Sequence, residues 1–282
     1  MALLPTEEDV AFYEEHGWYI SKKIIPDEVI DGAIAASERF YAGEIDTPLP
    51  TTTGYSNWRP GDDSTLRNNE FVALQNRVLH ELSVRPILGA IAARLARTKG
   101  IRRFEDQLVY KTTQATEGKG VVGWHTDHAY SSNCTSDKLL AAWIPFHDSV
   151  VDRAPLVVID GSHQWSGTDH LRAFNQQDLK RTEESFTQAG RPVVEVPMVM
   201  PKGHASFHHG WTIHGSYRNR NAEPRVALAV HYQDEENRYQ PFWNDQGRQI
   251  HHYLDSVCGK QADGHPDYSD PQIFPVVWAE RE

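Results

Sequence analysis

The 282-residue chain has only two cysteines, Cys134 and Cys258. Two thiols far apart make neither a disulfide framework nor a Cys-x-x-Cys metal knuckle, and a reduced, cytoplasmic setting is the expectation. Long apolar runs are missing too. No stretch approaches the roughly 20 apolar residues of a membrane helix, and the opening Met-Ala-Leu-Leu-Pro-Thr-Glu-Glu-Asp has no basic leader followed by an apolar stretch, so a secretory signal is not expected. Positive charge is scarce. Lys and Arg total 28 against 39 Asp and Glu, a formal net charge of −11, which leaves no broad basic surface for phosphates and argues against a nucleic-acid partner. Solenoid-type repeats and low-complexity tracts are absent. Histidine is abundant, with fifteen copies. Because imidazole is the commonest metal ligand and acid–base group, their placement carries the functional reading.

Local signals divide the chain into a helical first third and a β-rich remainder. Thr6, followed by Glu7, Glu8 and Asp9, predicts a capped helix over 7–16 that stops at Gly17. Residues 18–21 read as a short strand. Pro26 opens a second helix to about Tyr41, with Val29, Ile30, Ala33, Ile34 and Phe40 as its buried stripe. Residues 42–68, rich in Thr, Pro, Gly, Asn and Asp, read as a long loop. A third helix is expected over about 69–97, broken or restarted at Pro86. From Ile101 onward the candidates are strands, at 104–112, 139–147, 156–160, 193–199, 204–208 and 225–232. They do not alternate with helices, which favours a sandwich or barrel over a parallel sheet. Long structureless loops inside a compact domain are unusual unless functional, so 42–68 and 164–192 are candidate lids or partly helical insertions.

The segment Gly123-Trp124-His125-Thr126-Asp127-His128 contains His-x-Asp. On a strand, residues i and i+2 share a face, so His125 and Asp127 can offer a nitrogen and an oxygen to one metal ion. A second copy, His265-Pro266-Asp267, lies in a Gly/Pro/Asp-rich tail with no histidine after it and reads as a surface turn. Downstream of the first copy, residues 203–216 supply His204, His208, His209 and His214. Two imidazoles and one carboxylate make the facial triad of non-haem Fe(II) oxygenases, with three positions open. A closed structural zinc site wants four ligands, commonly with cysteine, and none adjoins these residues. Residue chemistry alone leaves the second imidazole open among the four.

With these motifs the sequence resembles the phytanoyl-CoA dioxygenase family of Fe(II)/2-oxoglutarate-dependent oxygenases. That family has His-x-Asp, a distal His, and an Arg eleven residues later that holds the far carboxylate of 2-oxoglutarate. His214 and Arg225 have that spacing, and the run between them resembles the family's His-x-Ser, Asn and Arg pattern. Gly161-Ser162-His163 matches a characteristic turn, and residues 6–19 resemble the family's first helix and Gly-aromatic strand. The resemblance implies Fe(II) on His125, Asp127 and His214, and 2-oxoglutarate on Arg225 and Ser216. Trp143 is then placed beside the co-substrate, and Gln107 lines the co-substrate or substrate. It implies a mainly β fold with α elements, a double-stranded β-helix (cupin-like jelly-roll) with N-terminal helices packed on one sheet. One domain over 1–282 is expected, with a mostly helical part (1–100), the jelly-roll core (101–233) and a C-terminal extension (234–282). In the strand beginning at Arg225, alternation would put Arg225, Ala227, Ala229 and His231 inside, and Val226, Leu228 and Val230 against helices. One departure is Arg153-Ala154-Pro155-Leu156 where the family has Asn-Gly-x-Leu, which is expected to alter a turn.

The activity implied is oxidation of a substrate by O2, with 2-oxoglutarate converted to succinate and CO2. Asp127 stands where halogenating relatives carry Gly or Ala, so hydroxylation or a related oxidation is expected. The substrate reads as a polar small molecule of specialised, antibiotic-type metabolism. Acyl-CoA is disfavoured by the acidic chain, and Asp62-Asp63 and Asp234-Glu235-Glu236, otherwise solvated, flank the expected cleft, where an acidic rim would attract an amine or amino-sugar. A cupin-type isomerase or hydrolase, or a non-catalytic jelly-roll binding protein, is the alternative; monomer and homodimer are both compatible. His128, His204, His208 and His209 are expected to support or pack, His251 and His252 to lie on an exposed face, and Trp124, Trp165, Trp211 and Trp243 to form core or pocket wall.

Overall fold

The computed structural model describes residues 3–51, 57–63, 65–113, 119–168 and 171–280. Thr6 caps α1 (Glu7–His16) reciprocally: its hydroxyl accepts from the Asp9 amide at 3.2 Å, and the Asp9 carboxylate accepts from the Thr6 amide at 2.7 Å. Gly17, at φ 79°, ends the helix, and a side chain there would meet His163 and Thr212. Glycine is thus required both by backbone and by space before β1 (Trp18–Ile20). In α2 (Asp27–Tyr41), Ile30, Ala33 and Phe40 are buried, with Val29 and Ile34 packed at the margin.

The helix expected over 69–97 is instead four elements. Asn69 and Glu70 end a strand, β2 (Leu66–Glu70), followed by α3 (Val72–Gln75), α4 (Arg77–Ser83) and α5 (Pro86–Leu95). Phe71, at φ 52°, turns the chain out of the strand; Asn76 caps α4; Pro86 starts α5. Leu66-Arg67-Asn68-Asn69-Glu70 has little β propensity of its own. It is a strand because it pairs residue for residue with one edge of β3 (Gly100–Lys111), a tertiary effect that overrides local preference.

The larger sheet runs β1, β8 (Ser206–His209), β5 (Leu140–Pro145), β10 (Arg225–Asp234), β3, β13 (Val276–Ala279), with β2 also on β3. The smaller runs β4 (Val122–His125), β9 (His214–Ser216), β6 (Val157–Ile159), β7 (Glu195–Pro197). Their pairings are antiparallel. A hairpin of β11 (Phe242–Trp243) and β12 (Gln249–Ile250) stands apart. Leu108, Ile144, Phe207, Leu228 and Val230 pack outward against Ile30, Leu79, Leu88 and Ile91 of the helices, while Trp143 and Ala227 pack inward against Leu156, Val158, Met198 and Met200. Each fully buried Leu, Ile or Phe contributes about 1.5–3 kcal/mol to that seam. Two sheets face to face with helices behind one are the expected jelly-roll, and β10 alternates as expected.

The remaining segments differ from the sequence reading in detail. Residues 164–192 contain α6 (Leu179–Gln188). The C-terminal segment carries α7 (Leu254–Val257), adds β13 to the larger sheet, and packs Leu254, Tyr268 and Phe274 against Phe71 and Phe104. Trp243 is 57% exposed, so it is neither core nor pocket wall. Against the sequence expectation of an exposed face, His252 is buried on the Ser132 hydroxyl and Asp234 is buried, accepting from Thr98 and Ser136. Among the described residues no helix is long and apolar enough to cross a membrane.

Candidate metal centre

β4 and β9 are neighbours, with His125 paired to His214. Each imidazole is held through Nδ1 on the carbonyl two residues before it, His125 on Gly123 at 2.8 Å and His214 on Thr212 at 2.9 Å. Such bonds assign the proton to Nδ1 and free both Nε2 lone pairs for ligation. Asp127 arrives by a different route from the one expected. The strand ends at His125, and Asp127 (φ −65°, ψ −37°) has helical backbone at the head of a 3₁₀ turn, His128–Tyr130. The turn, and not strand alternation, brings its Oδ1 to 3.9 Å from His125 Nε2 and 3.4 Å from His214 Nε2. One ligand atom from each residue lies within 4.8 Å of the others, and all three residues are buried.

Burial, reinforced by His214, pushes the His125 imidazole down to about 3, leaving it in the neutral form that binds metals. For Asp127, burial favours the acid, but the imidazoles of His214 and His231 and the hydrogen bond from His208 outweigh it and hold the carboxyl well below its usual range. His208 Nε2 lies 3.1 Å and His231 Nε2 3.4 Å from Asp127 Oδ2. His208 Nδ1 has no partner among the described residues, so nothing turns its Nε2 lone pair toward a metal as in His125 and His214. His231 was not singled out from sequence as a site residue, although its place on the inward face of β10 was the available signal. Burial disfavours its charged form, but the Asp127 and Glu105 carboxylates push it up to about 9. The eleven-residue spacing does not by itself select His214, because Arg220 follows His209 at the same interval. The structure separates them: His209 faces Tyr13 and His163, and Arg220 is exposed. His128 stacks on Trp211 with ring centroids 3.8 Å apart.

Arg225 opens β10 opposite Lys111 of β3. Arg225 is 2% exposed and donates from Nη2 to Ser216 Oγ at 3.2 Å and from Nε to the Ala154 carbonyl at 3.2 Å. Lys111 Nζ donates to the same Ser216 Oγ at 2.6 Å and to the carbonyls of Ser216 and Tyr217 at 3.1 and 2.7 Å. The Trp143 ring centroid is 5.8 Å from the guanidinium. Burial pushes Arg225 down to about 10 and Lys111 well below an ordinary lysine, the latter reinforced by Arg225. No carboxylate ion-pairs with either among the described residues. Two buried cations sharing one hydroxyl call for an anion, because uncompensated buried charge is expensive, and a carboxylate such as that of 2-oxoglutarate fits these donors. Lys111 was missed from sequence; it shares the parity of Gln107 along β3. Ala154, where the family resemblance leads one to expect glycine, sits at φ 52°, ψ 61°, at a strain of about 1–2 kcal/mol.

A cavity of about 500 Å³ opens on His125, Asp127 and His231. Gln107 lines it and donates to Glu105 Oε1 at 3.1 Å. Five carboxylates line it, Asp62, Asp63, Glu70, Glu105 and Asp127, and among the described residues no Lys or Arg does. Trp58 and Tyr253 supply aromatic wall, and Phe174 lies 5.2 Å from the His125 ring. The segment bearing Phe174 is tied to β4, since the Gly123 amide donates to the Phe174 carbonyl at 2.9 Å.

A model of the phytanoyl-CoA dioxygenase (PhyH) family matches residues 13–227. The peroxisomal phytanoyl-CoA dioxygenase of Rattus norvegicus is 23% identical over 237 residues, spanning 82% of this chain and 69% of the relative. Among solved structures, the epimerase SnoN in complex with Fe3+, alpha ketoglutarate and nogalamycin RO has a TM-score of 0.71 at 21% identity, covering 96% of this chain and 98% of SnoN. The non-haem alpha ketoglutarate-dependent carbocyclase SnoK from nogalamycin biosynthesis has a TM-score of 0.66 at 24% identity, covering 89% and 95%. These likenesses agree with the jelly-roll, and the family match runs through the ligand triad and the buried cations. The chain belongs to the phytanoyl-CoA dioxygenase (PhyH) family of non-haem Fe(II)/2-oxoglutarate-dependent oxygenases.

Proposed function

We propose that this enzyme hydroxylates a polar, cationic small molecule of specialised metabolism, an amine or amino-sugar, with 2-oxoglutarate converted to succinate and CO2. The observation that carries the substrate reading is the cavity on the triad, lined by five carboxylates and by no Lys or Arg among the described residues. A polyanionic CoA thioester would meet repulsion there, and an ammonium would be drawn in. The nogalamycin-pathway neighbours support the metabolic setting.

In this reading His125, Asp127 and His214 hold Fe(II), and Arg225, Ser216 and Lys111 bind the far carboxylate of 2-oxoglutarate, with Trp143 packed beside them. Bound iron, with 2-oxoglutarate and O2, supplies the oxidising power for a substrate C–H bond. The protein positions and shields. Asp127 occupies the ligand place a halide would need, Gln107 faces the substrate side, and the Phe174 segment keeps water from the triad.

The test is incubation with Fe(II), ascorbate and 2-oxoglutarate, measuring succinate with and without a pool of amines. Iron-dependent succinate, raised by amines and accompanied by incorporation of isotopically labelled O2, is expected. Asp127→Ala should abolish it. No iron-dependent succinate from the wild-type protein would sink the reading. Turnover of a neutral or anionic substrate that is insensitive to salt would remove the cationic part alone.

A further inference from the structure

One wall of the cavity is built by the end of β2 against β3. Glu70 is 8% exposed, and its Oε2 has no hydrogen-bond partner among the described residues. Asn68, two residues earlier on the same face, likewise leaves Oδ1 unpartnered, and both residues line the cavity. Glu70 pairs with Gln107, which places Glu105 as its diagonal neighbour. The neighbouring carboxylates are engaged. Asp127 faces the imidazoles, Glu105 accepts from the Tyr253 hydroxyl and Gln107 near His231, and Asp63 pairs with Lys119 at 2.8 Å. Buried carboxylate oxygens are normally satisfied, so an unpartnered one on a residue that lines a cavity marks a place a ligand completes.

We propose that Glu70, backed by Glu105 and Asn68, receives a protonated primary or secondary amine of the substrate and thereby sets which carbon faces the metal centre. The inference rests on the cationic-substrate reading and narrows it. Burial and the Glu105 carboxylate together push Glu70 up to about 8. A cation set between the two carboxylates relieves both effects, whereas a neutral hydroxyl relieves neither. N–H groups are needed because Glu70 Oε2 and Asn68 Oδ1 are acceptors without donors. A quaternary ammonium has none to give and would rely on aromatic faces alone.

The experiment is anaerobic calorimetric titration of the enzyme loaded with Fe(II) and 2-oxoglutarate. The probes are cyclohexylamine, cyclohexanol and N,N,N-trimethylcyclohexylammonium, with glucosamine and glucose as a second matched pair. At least one primary amine should bind about tenfold or more tighter than its neutral partner. The trimethyl probe should lose that advantage, and Glu70→Gln should abolish it. Glu70→Asp, which keeps the charge and shortens its reach, should lose part of the preference and serves if the Gln variant does not fold. If no amine outbinds its neutral partner, both the clamp and the cationic reading fall. If the trimethyl probe matches the primary amine, or the preference survives in folded Glu70→Gln or is undiminished in Glu70→Asp, the clamp falls and the cationic reading stands. Iron-dependent succinate formation is judged separately.

Discussion

Arg225 and Lys111 show how much a single residue can depend on a distant partner. Both cations are buried against one Ser216 hydroxyl, and among the described residues no carboxylate pairs with them. Arg225→Ala should raise the KM for 2-oxoglutarate by about 30-fold or more, as expected for truncating one side of a buried charge-assisted contact. Lys111→Met should weaken 2-oxoglutarate in the same assay and leave the buried carbonyls of Ser216 and Tyr217 without their donor. Glu70 gives a pH signature. Its folded pKa, about 8, lies above the ordinary 4.5 of an unfolded glutamate. The folded state therefore holds this proton more tightly. Its favourable contribution is full below about 4.5 and is lost as pH rises through about 8. Relative to Glu70→Gln, the wild type should lose on the order of 1–3 kcal/mol between pH 4.5 and 9, read by denaturant unfolding. His125 and Asp127 were legible from their spacing, and His214, Ser216 and Arg225 were named through the family resemblance. Lys111, His231 and Glu70 were not, because what gives each its role comes from another strand.

At the scale of elements, edges and close approaches decide what local preference cannot. β4 approaches the segment after 170 so closely that a Cβ on Gly123 would stand 1.9 Å from the Ala173 carbonyl and 2.6 Å from that of Gln176. Gly123→Ala should therefore lift this segment from β4, lower stability by about 1–3 kcal/mol, and loosen the cover over His125. Hydrogen exchange within 171–177 should rise and succinate formation should fall; unchanged exchange would count against the cover. The sequence read α1, α2 and the strands around 104–112 and 225–232 from capping and alternation. It could not read β2 or β9. β2 is polar and exists only as an edge of β3, and β9 is three residues centred on a glycine. Nor could it see that His125 ends its strand, which makes the Asp127 turn, and not the pleat, the device that completes the triad.

At the scale of the whole molecule, the C-terminal segment is stitched into the catalytic half. β13 pairs with β3, Phe274 and Tyr268 pack on Phe104, and the Tyr253 hydroxyl donates to Glu105 in the cavity. We propose that residues 1–282 fold as one cooperative unit. A chain ending at residue 240 should then lose its cooperative urea transition, while the full chain shows one; an unchanged transition after truncation would mark the segment as a separable extension. By itself the sequence determined a β-rich sandwich or barrel behind N-terminal helices, the His-x-Asp pair and the acidic balance, and its resemblance to the family added the jelly-roll, His214 and Arg225. The first three are carried by short-range spacing, capping, alternation or composition, which follow from covalent geometry and side-chain chemistry. Only the tertiary structure decided that Lys111 joins Arg225, that four imidazoles surround Asp127, and that Glu70 lines the cavity with its Oε2 unpartnered among the described residues. Burial and the meeting of strands far apart in sequence create those charges' surroundings, and neither exists until the two sheets close on one another.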